Sequence, residues 1–294
     1  MDGLTLNLIA LQLFTGLALG AVYVLLAIGL SLIFGMLTVV NFAHGAFFML
    51  GAYVGVWLLS LGFNFWVCLV AVPLLVGGIG LVVERVLVRP LYGRGIDYPL
   101  LLTFGLSYVI VECVRIIFGK TGYPVDTPEV MQSAIDIGIG YFPAYRLFIM
   151  AITAVILFGL WLFLEKTSYG LIIRAGARDP QIVSVLGVNV ARVWLLVFGL
   201  GCSMAGIAGL LAAPLQGASP EMGGPILAEA FVVTVVGGMG SLMGAVVAGL
   251  LVGCVVSMTA LFAPEMAKVS IFALMAIVLL VRPQGLFGRA GLMS

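Results

Sequence analysis

His44 is the chain's one histidine, and it stands three residues after Asn41 in the segment Val39-Val40-Asn41-Phe42-Ala43-His44-Gly45. That segment joins two apolar stretches and has no Lys, Arg, Asp or Glu near it. A solitary imidazole lacks the partners a metal site needs, which leaves hydrogen bonding as its chemistry. Asn41 can cap the helix that follows and satisfy backbone N–H groups without intrahelical partners. Two readings fit these residues. One is a broken helix whose ends and polar side chains, Asn41 and His44 among them, line a solute path. The other is a plain capped turn with His44 hydrogen-bonded inside a bundle.

Glu112 and Arg115 stand at i and i+3 in another apolar stretch, with Thr103 and Ser107 on the same helical face. Their simplest reading is a helix-face ion pair with Arg115 snorkelling to an interface. Contact of Thr103, Ser107 and Glu112 with a solute is the alternative. Glu229 opens a span, where a carboxylate favours the helix dipole. No GxxxxGK(S/T) phosphate loop, Ser/His/Asp set or paired-carboxylate arrangement occurs, so catalysis and ATP binding by that loop are not expected of this chain. Cys68, Cys113, Cys202 and Cys254 sit in apolar runs without paired spacing and read as small packing residues. Basic stripes that would suit a nucleic acid are missing, and no resident cofactor is expected.

The polar stretch Glu165–Arg192 carries a different signal. Asp179-Pro180 is a helix start, with Asp as cap and Pro at the first helical position. The helix is expected from Pro180 to about Leu186, ending at Gly187. So short a helix is not stable alone. Ile182, Val185 and Leu186 would share one side, so it needs a surface to rest on. A cytoplasmic motor protein is one such surface. Lipid headgroups, helped by Arg174 and Arg178, are the other.

These groups must be positioned by a membrane bundle. The chain of 294 residues is 63% hydrophobic and 9% charged. Soluble domains carry roughly 25% charged residues. Between Asp2 and Glu84 there are 81 residues without a Lys, Arg, Asp or Glu, enough for about three crossings. An all-α polytopic bundle forming a single domain over 1–294 is expected. Its candidate spans are Leu8–Phe34, Phe42–Leu61, Phe65–Leu87, Pro99–Phe118, Leu147–Leu164, Val193–Leu215, Ile226–Ser241, Leu242–Phe262 and Val269–Val281. The Gly-rich pair near Gly237–Gly244 reads as two crossings or one hairpin, so the count is eight or nine.

Arg85, Arg89 and Arg94, then Lys166, Arg174, Arg178 and Arg192, then Arg282 and Arg289 collect most of the basic residues. By the positive-inside rule these loops and the C-terminus face the cytoplasm, with Gly119–Arg146 and the N-terminus outside. An odd count, nine, agrees with that. A Gly-spaced echo between Gly45–Gly55 and Gly240–Gly253 hints at an internal repeat.

Three stretches resemble the permeases of branched-chain amino acid ABC importers. They are GLSLIFGMLTVVNFAHGAFFMLGAY (Gly29–Tyr53), IIRAGARDPQIVSVLGVNVARVW (Ile172–Trp194) and LLVRPQGLFGR (Leu279–Arg289). ILAEAFVVTVVGGMGSLMG (Ile226–Gly244) adds to the likeness, which covers essentially the whole chain. NFAHG followed by FFMLGAY looks more like the first of the two paired permeases. The resemblance implies an inner-membrane permease working with a second permease chain, paralogue or self. Two cytoplasmic ATPase subunits that use ATP and a periplasmic binding protein complete the implied complex. It implies that Arg178, Asp179, Pro180, Gln181, Ile182, Val185, Leu186 and Gly187, in the loop 165–192, couple this chain to the motors. Urea permeases of the same superfamily are close relatives, and a self-contained ion-coupled carrier is the reading from a different class.

Overall fold

The computed structural model describes residues 3–37 and 39–288. Its helices are α1 (Gly3–Leu37), α2 (His44–Ser60), α3 (Phe65–Val83), α4 (Asp97–Phe118), α5 (Ala144–Lys166) and α6 (Ser168–Gly176). Then follow α7 (Pro180–Val185), α8 (Val190–Gln216), α9 (Gly223–Gly237), α10 (Leu242–Phe262) and α11 (Ala267–Val281). A small antiparallel hairpin, Ala134–Asp136 with Tyr141–Pro143, decorates the α4–α5 connection. Chain direction places that hairpin, the start of α1 and the α8–α9 connection at one end of the bundle, the hairpin end. The connections 84–96 and 167–189 and the tail after α11 lie at the other, the basic end.

Among the described residues, seven helices are long and apolar enough to cross a membrane. That is slightly fewer than the eight or nine spans expected, two of which are apolar helices of shorter length. The two that fall short are α2, with 17 residues, and α9, with 15. At 1.5 Å per residue they reach roughly 25 and 22 Å, against a hydrocarbon core of about 30 Å. Apolar composition counts them as spans. What shortens them is irregular backbone at their starts, residues 39–43 and 217–222, which composition does not reveal.

The buried centre is built on α1 and α8. From Ala18 onward α1 is enclosed almost all round, and α8 is enclosed through its second half. A helix apolar on every face belongs inside the bundle. The packing partners of the two halves correspond: α1 lies on α10 as α8 lies on α3. Likewise α2 lies on α8 as α9 lies on α1, and α2 on α4 as α9 on α11. The repeat therefore pairs α2 with α9, whereas the Gly-spaced echo matches α2 to α10. Small residues allow these contacts: a Cβ on Gly16 would come within 2.7 Å of the Cys254 Cα on α10.

The tail folds back beneath α9. Leu286 and Phe287 donate their backbone N–H groups to the Val236 and Gly237 carbonyls at 2.8 and 3.0 Å. Those carbonyls belong to the last turn of α9 and have no intrahelical donor. Arg289, counted among the basic clusters, lies outside the described residues.

Candidate functional site

After α1 the chain turns back into the bundle, and residues 39–43 run without helical hydrogen bonding beside α4. Thr103 of α4 holds this stretch. Its Oγ1 accepts the Phe42 N–H at 3.1 Å and donates to its own helix at the Leu100 carbonyl, 3.1 Å away. Asn41 Oδ1 accepts the Ala43 N–H at 3.1 Å, and the Asn41 carbonyl accepts that of His44 at 3.1 Å. Asn41 thus closes the turn before α2. The N-cap position itself is Ala43, which offers no side-chain acceptor, so the expected cap by Asn41 is displaced outward.

His44 is fully enclosed, and its Nε2 lies 3.0 Å from the Leu26 carbonyl of α1. A carbonyl only accepts, so Nε2 carries the proton. A Cβ on Gly29 of α1 would lie 3.0 Å from the His44 ring and 2.6 Å from the carbonyl of Gly201, which stands near the middle of α8. The start of α2 is therefore level with the middle of the bundle. His44 Nδ1 and Asn41 Nδ2 are buried with no hydrogen-bond partner among the described residues.

The start of α9 comes to the same level. A Cβ on Gly45 would overlap the Gly223 carbonyl oxygen, and one on Gly223 would lie 2.6 Å from the Gly45 carbonyl. The two short helices leave this crossing in opposite directions. Their N-terminal N–H groups, positive ends of helix dipoles, collect at the crossing.

Beside the crossing lies a groove of about 470 Å³ between α4, the start of α2 and residues 220–227. Phe42, Phe104, Tyr108, Val111 and Leu227 give it an apolar wall, and Ser107, Glu112, Arg115 and Glu221 its polar groups. Arg115 pairs with Glu112 one turn away and, at 3.3 Å, with Glu221 of the α8–α9 connection. The pair expected on one helix face thus also ties α4 to the segment leading into α9. The Ser107 hydroxyl donates to the Phe104 carbonyl at 2.6 Å. Of the five residues considered for a path, Ser107 and Glu112 line the groove. Thr103 staples the turn that forms its wall, and Asn41 and His44 lie buried behind it. Sequence reasoning missed Phe104, Tyr108 and Val111, although their i, i+4, i+7 spacing beside Ser107 marks one helical stripe.

At the basic end, the loop Glu165–Arg192 holds two helices, where one is expected from sequence. Thr167 Oγ1 caps α6 by accepting the Gly170 N–H at 3.0 Å, and Arg174 of α6 pairs with Glu165. Asp179 Oδ1 caps α7 through the N–H groups of Gln181 and Ile182, at 2.9 and 3.0 Å. Gly187 follows α7 with φ +83°, the left-handed geometry of a helix stop. Ile182, Val185 and Leu186 are 60%, 86% and 75% exposed, while Val183 is buried and anchors the helix. Arg178 and Gln181 are also exposed.

A further network, not foreseen from sequence, braces this loop. Glu84 is enclosed at the end of α3 and accepts from Arg89 at 3.0 and 3.3 Å and from Tyr92 at 3.1 Å. Arg89 also donates to the Ala191 carbonyl in the first turn of α8, at 2.9 Å. The Tyr92 ring meets Trp194 edge to face, 4.8 Å between centroids.

Comparison with known proteins assigns this architecture. A family model described as "Branched-chain amino acid transport system / permease component" matches residues 12–279. The chain belongs to that family. It is 30% identical over 296 residues to the high-affinity branched-chain amino acid transport system permease protein BraD of Pseudomonas aeruginosa, covering 95% of each chain. It is 31% identical over 295 residues to LivH of Escherichia coli K12, a permease of the same description, again covering 95% of each chain. LivM of Escherichia coli K12 is 27% identical over 296 residues, 90% of this chain and 67% of LivM.

Within this multi-pass permease the motif-bearing stretches fall on the features just described. Gly29–Tyr53 contains the broken turn and the start of α2; its Thr38 lies outside the described residues. Ile172–Trp194 holds the second half of α6, α7 and the Ala191 and Trp194 contacts. Leu279–Gly288 closes the end of α9.

Proposed function

We propose that this permease carries branched-chain amino acids inward as one of two paired membrane subunits of an ATP-driven importer. The observation that supports this most is the meeting of α2 and α9 at Gly45 and Gly223, at mid-bundle depth, beside an open groove. Broken helices of this kind bring positive helix ends and irregular backbone to a solute path. The groove is bounded on one side only, and a second permease chain completes it. Relatives of both LivH and LivM type fit a pair of related chains.

ATP is bound and hydrolysed on separate cytoplasmic subunits that dock on α7, using Arg178 through Gly187. An exposed apolar face on a six-residue helix suits such a partner. A periplasmic binding protein delivers the solute at the hairpin end. On this reading the N-terminus is outside and the C-terminus in the cytoplasm, in accord with the basic clusters.

The test is uptake of labelled leucine into proteoliposomes holding the assembled complex and its binding protein. Uptake that requires ATP and the binding protein, and survives a protonophore, supports the reading. ATP-driven urea uptake without leucine uptake would change the cargo. Uptake by this chain alone, driven by an ion gradient, would overturn it.

A further inference from the structure

A second cavity, apart from the groove, lies between α1, α5, α9 and the end of α8, with a volume of about 290 Å³. Its polar lining is Thr15 and Tyr23 of α1, Arg146 of α5, Gln216 of α8 and Glu229 of α9. A neighbouring cavity of about 320 Å³ shares Gln216 and Glu229 and adds Lys268 and Glu221. Glu221 also lines the groove, so the cavities follow one another around the α8–α9 connection at the hairpin end.

Opposite charges line this space without joining. Arg146 Nη1 donates to Thr15 Oγ1 at 3.0 Å, while Tyr23 and Lys268 stand beside Glu229. No ion pair links Arg146 to Glu229 among the described residues. A guanidinium has five N–H donors, and one hydroxyl uses one of them. Thr15 and Tyr23 stand eight residues apart on α1, about 12 Å along the axis. Each charge thus has its neighbour on α1 at a different depth. Ionisable groups within a membrane bundle are costly and mark solute paths more often than packing.

We propose that this cavity is a holding site for a zwitterionic α-amino acid, with Arg146 receiving the carboxylate and Glu229 the ammonium group. Each end of the head group can take a charge-assisted hydrogen bond of about 2.8 Å from its counter-charge. Leu19, Val22 and Ile226 supply apolar wall for an aliphatic side chain. Arg146, in the first turn of α5, stands on the side of the site toward the end at which solute arrives, and Glu229 lies further in, along α9. Recognition of both charges excludes urea, and the proposal rests on the amino-acid reading above.

The experiment is equilibrium binding of labelled leucine to the purified complete complex without its binding protein, alongside ATP-driven uptake with it. Competition by 4-methylpentanoate and by 3-methylbutylamine, which each keep one charge of leucine, reports which charge is read. Glu229→Gln and Arg146→Gln should each weaken leucine binding by about tenfold or more. Glu229→Gln should leave competition by the carboxylate analogue unchanged, and Arg146→Gln that by the amine, a pattern that misfolding cannot produce. Leu19→Phe, which fills the cavity from its apolar side and keeps both charges, should also weaken binding. Leucine import by the wild-type complex with binding and uptake unchanged in all three variants would overturn the holding site alone. A wild-type complex that imports no amino acid would overturn the reading beneath it.

Discussion

Gly45 and Gly223 meet backbone against backbone, each occupying space that a Cβ on the other would need. This contact sets where two short helices begin, and their beginnings form the floor of the groove. Depth, groove shape and helix polarity at the site therefore depend on two hydrogen atoms standing where other residues have side chains.

Substituting either glycine should move the crossing. Gly45→Ala must displace the Gly223 carbonyl, an overpacking cost of about 1–3 kcal/mol. Gly224, one residue on, has open space around its Cα. We expect Gly45→Ala and Gly223→Ala to lower both thermal stability and uptake, with Gly224→Ala close to wild type. Melting of the purified chain and leucine uptake check this together.

Thr103→Val keeps the shape of the side chain and removes the acceptor for the Phe42 N–H. That group is then left without its partner inside the bundle, at a cost of about 1–3 kcal/mol. Uptake should fall severalfold and Thr103→Ser should restore most of it. Equal uptake by the Val and Ser variants would show that the staple is not needed.

The Glu84–Arg89–Ala191 bridge joins α3 to the first turn of α8, directly after the α7 loop. Arg89→Leu leaves an enclosed carboxylate with only Tyr92, at a cost of about 3 kcal/mol. We expect ATP hydrolysis by the assembled complex to persist while leucine moved per ATP declines. A coupling ratio equal to wild type would show the bridge to be passive.

On α7, inward and outward residues should separate. Val185→Asp changes an exposed position and should weaken retention of the ATPase subunits without altering the melting of the isolated permease. Val183→Ala, at the buried anchor, should lower melting as well. Asp179→Ala removes both cap bonds, worth about 1 kcal/mol, and should lie between them. Pull-down and differential scanning measurements on the same preparations separate these outcomes.

Much of this is legible in sequence because it depends on local chemistry. The Asp179-Pro180 start and the Gly187 stop of α7 need only capping geometry, and the bundle follows from the shortage of charge. The inward turn at 39–43 is visible as a polar interruption. What escapes are long-range relationships: that Thr103 reaches Phe42, that Arg115 reaches Glu221, and that Arg89 meets Ala191. Helical periodicity says which side chains share a face and is silent on the neighbour opposite. The span count differs slightly for the same reason. An apolar helix of 15 residues beginning at mid-depth has the composition of one that crosses.

The most direct measurement is solvent accessibility at Ser107 during turnover. Cys113 is exposed and is replaced first by serine, after which Ser107→Cys places one thiol in the groove. In the assembled complex, a membrane-impermeant thiol reagent added outside should modify that introduced thiol at a rate that changes when ATP is supplied. Saturating leucine with its binding protein should slow the reaction, and modification should block uptake. Modification that ignores both ATP and leucine, or that leaves uptake intact, would contradict the assignment of this groove as the translocation path.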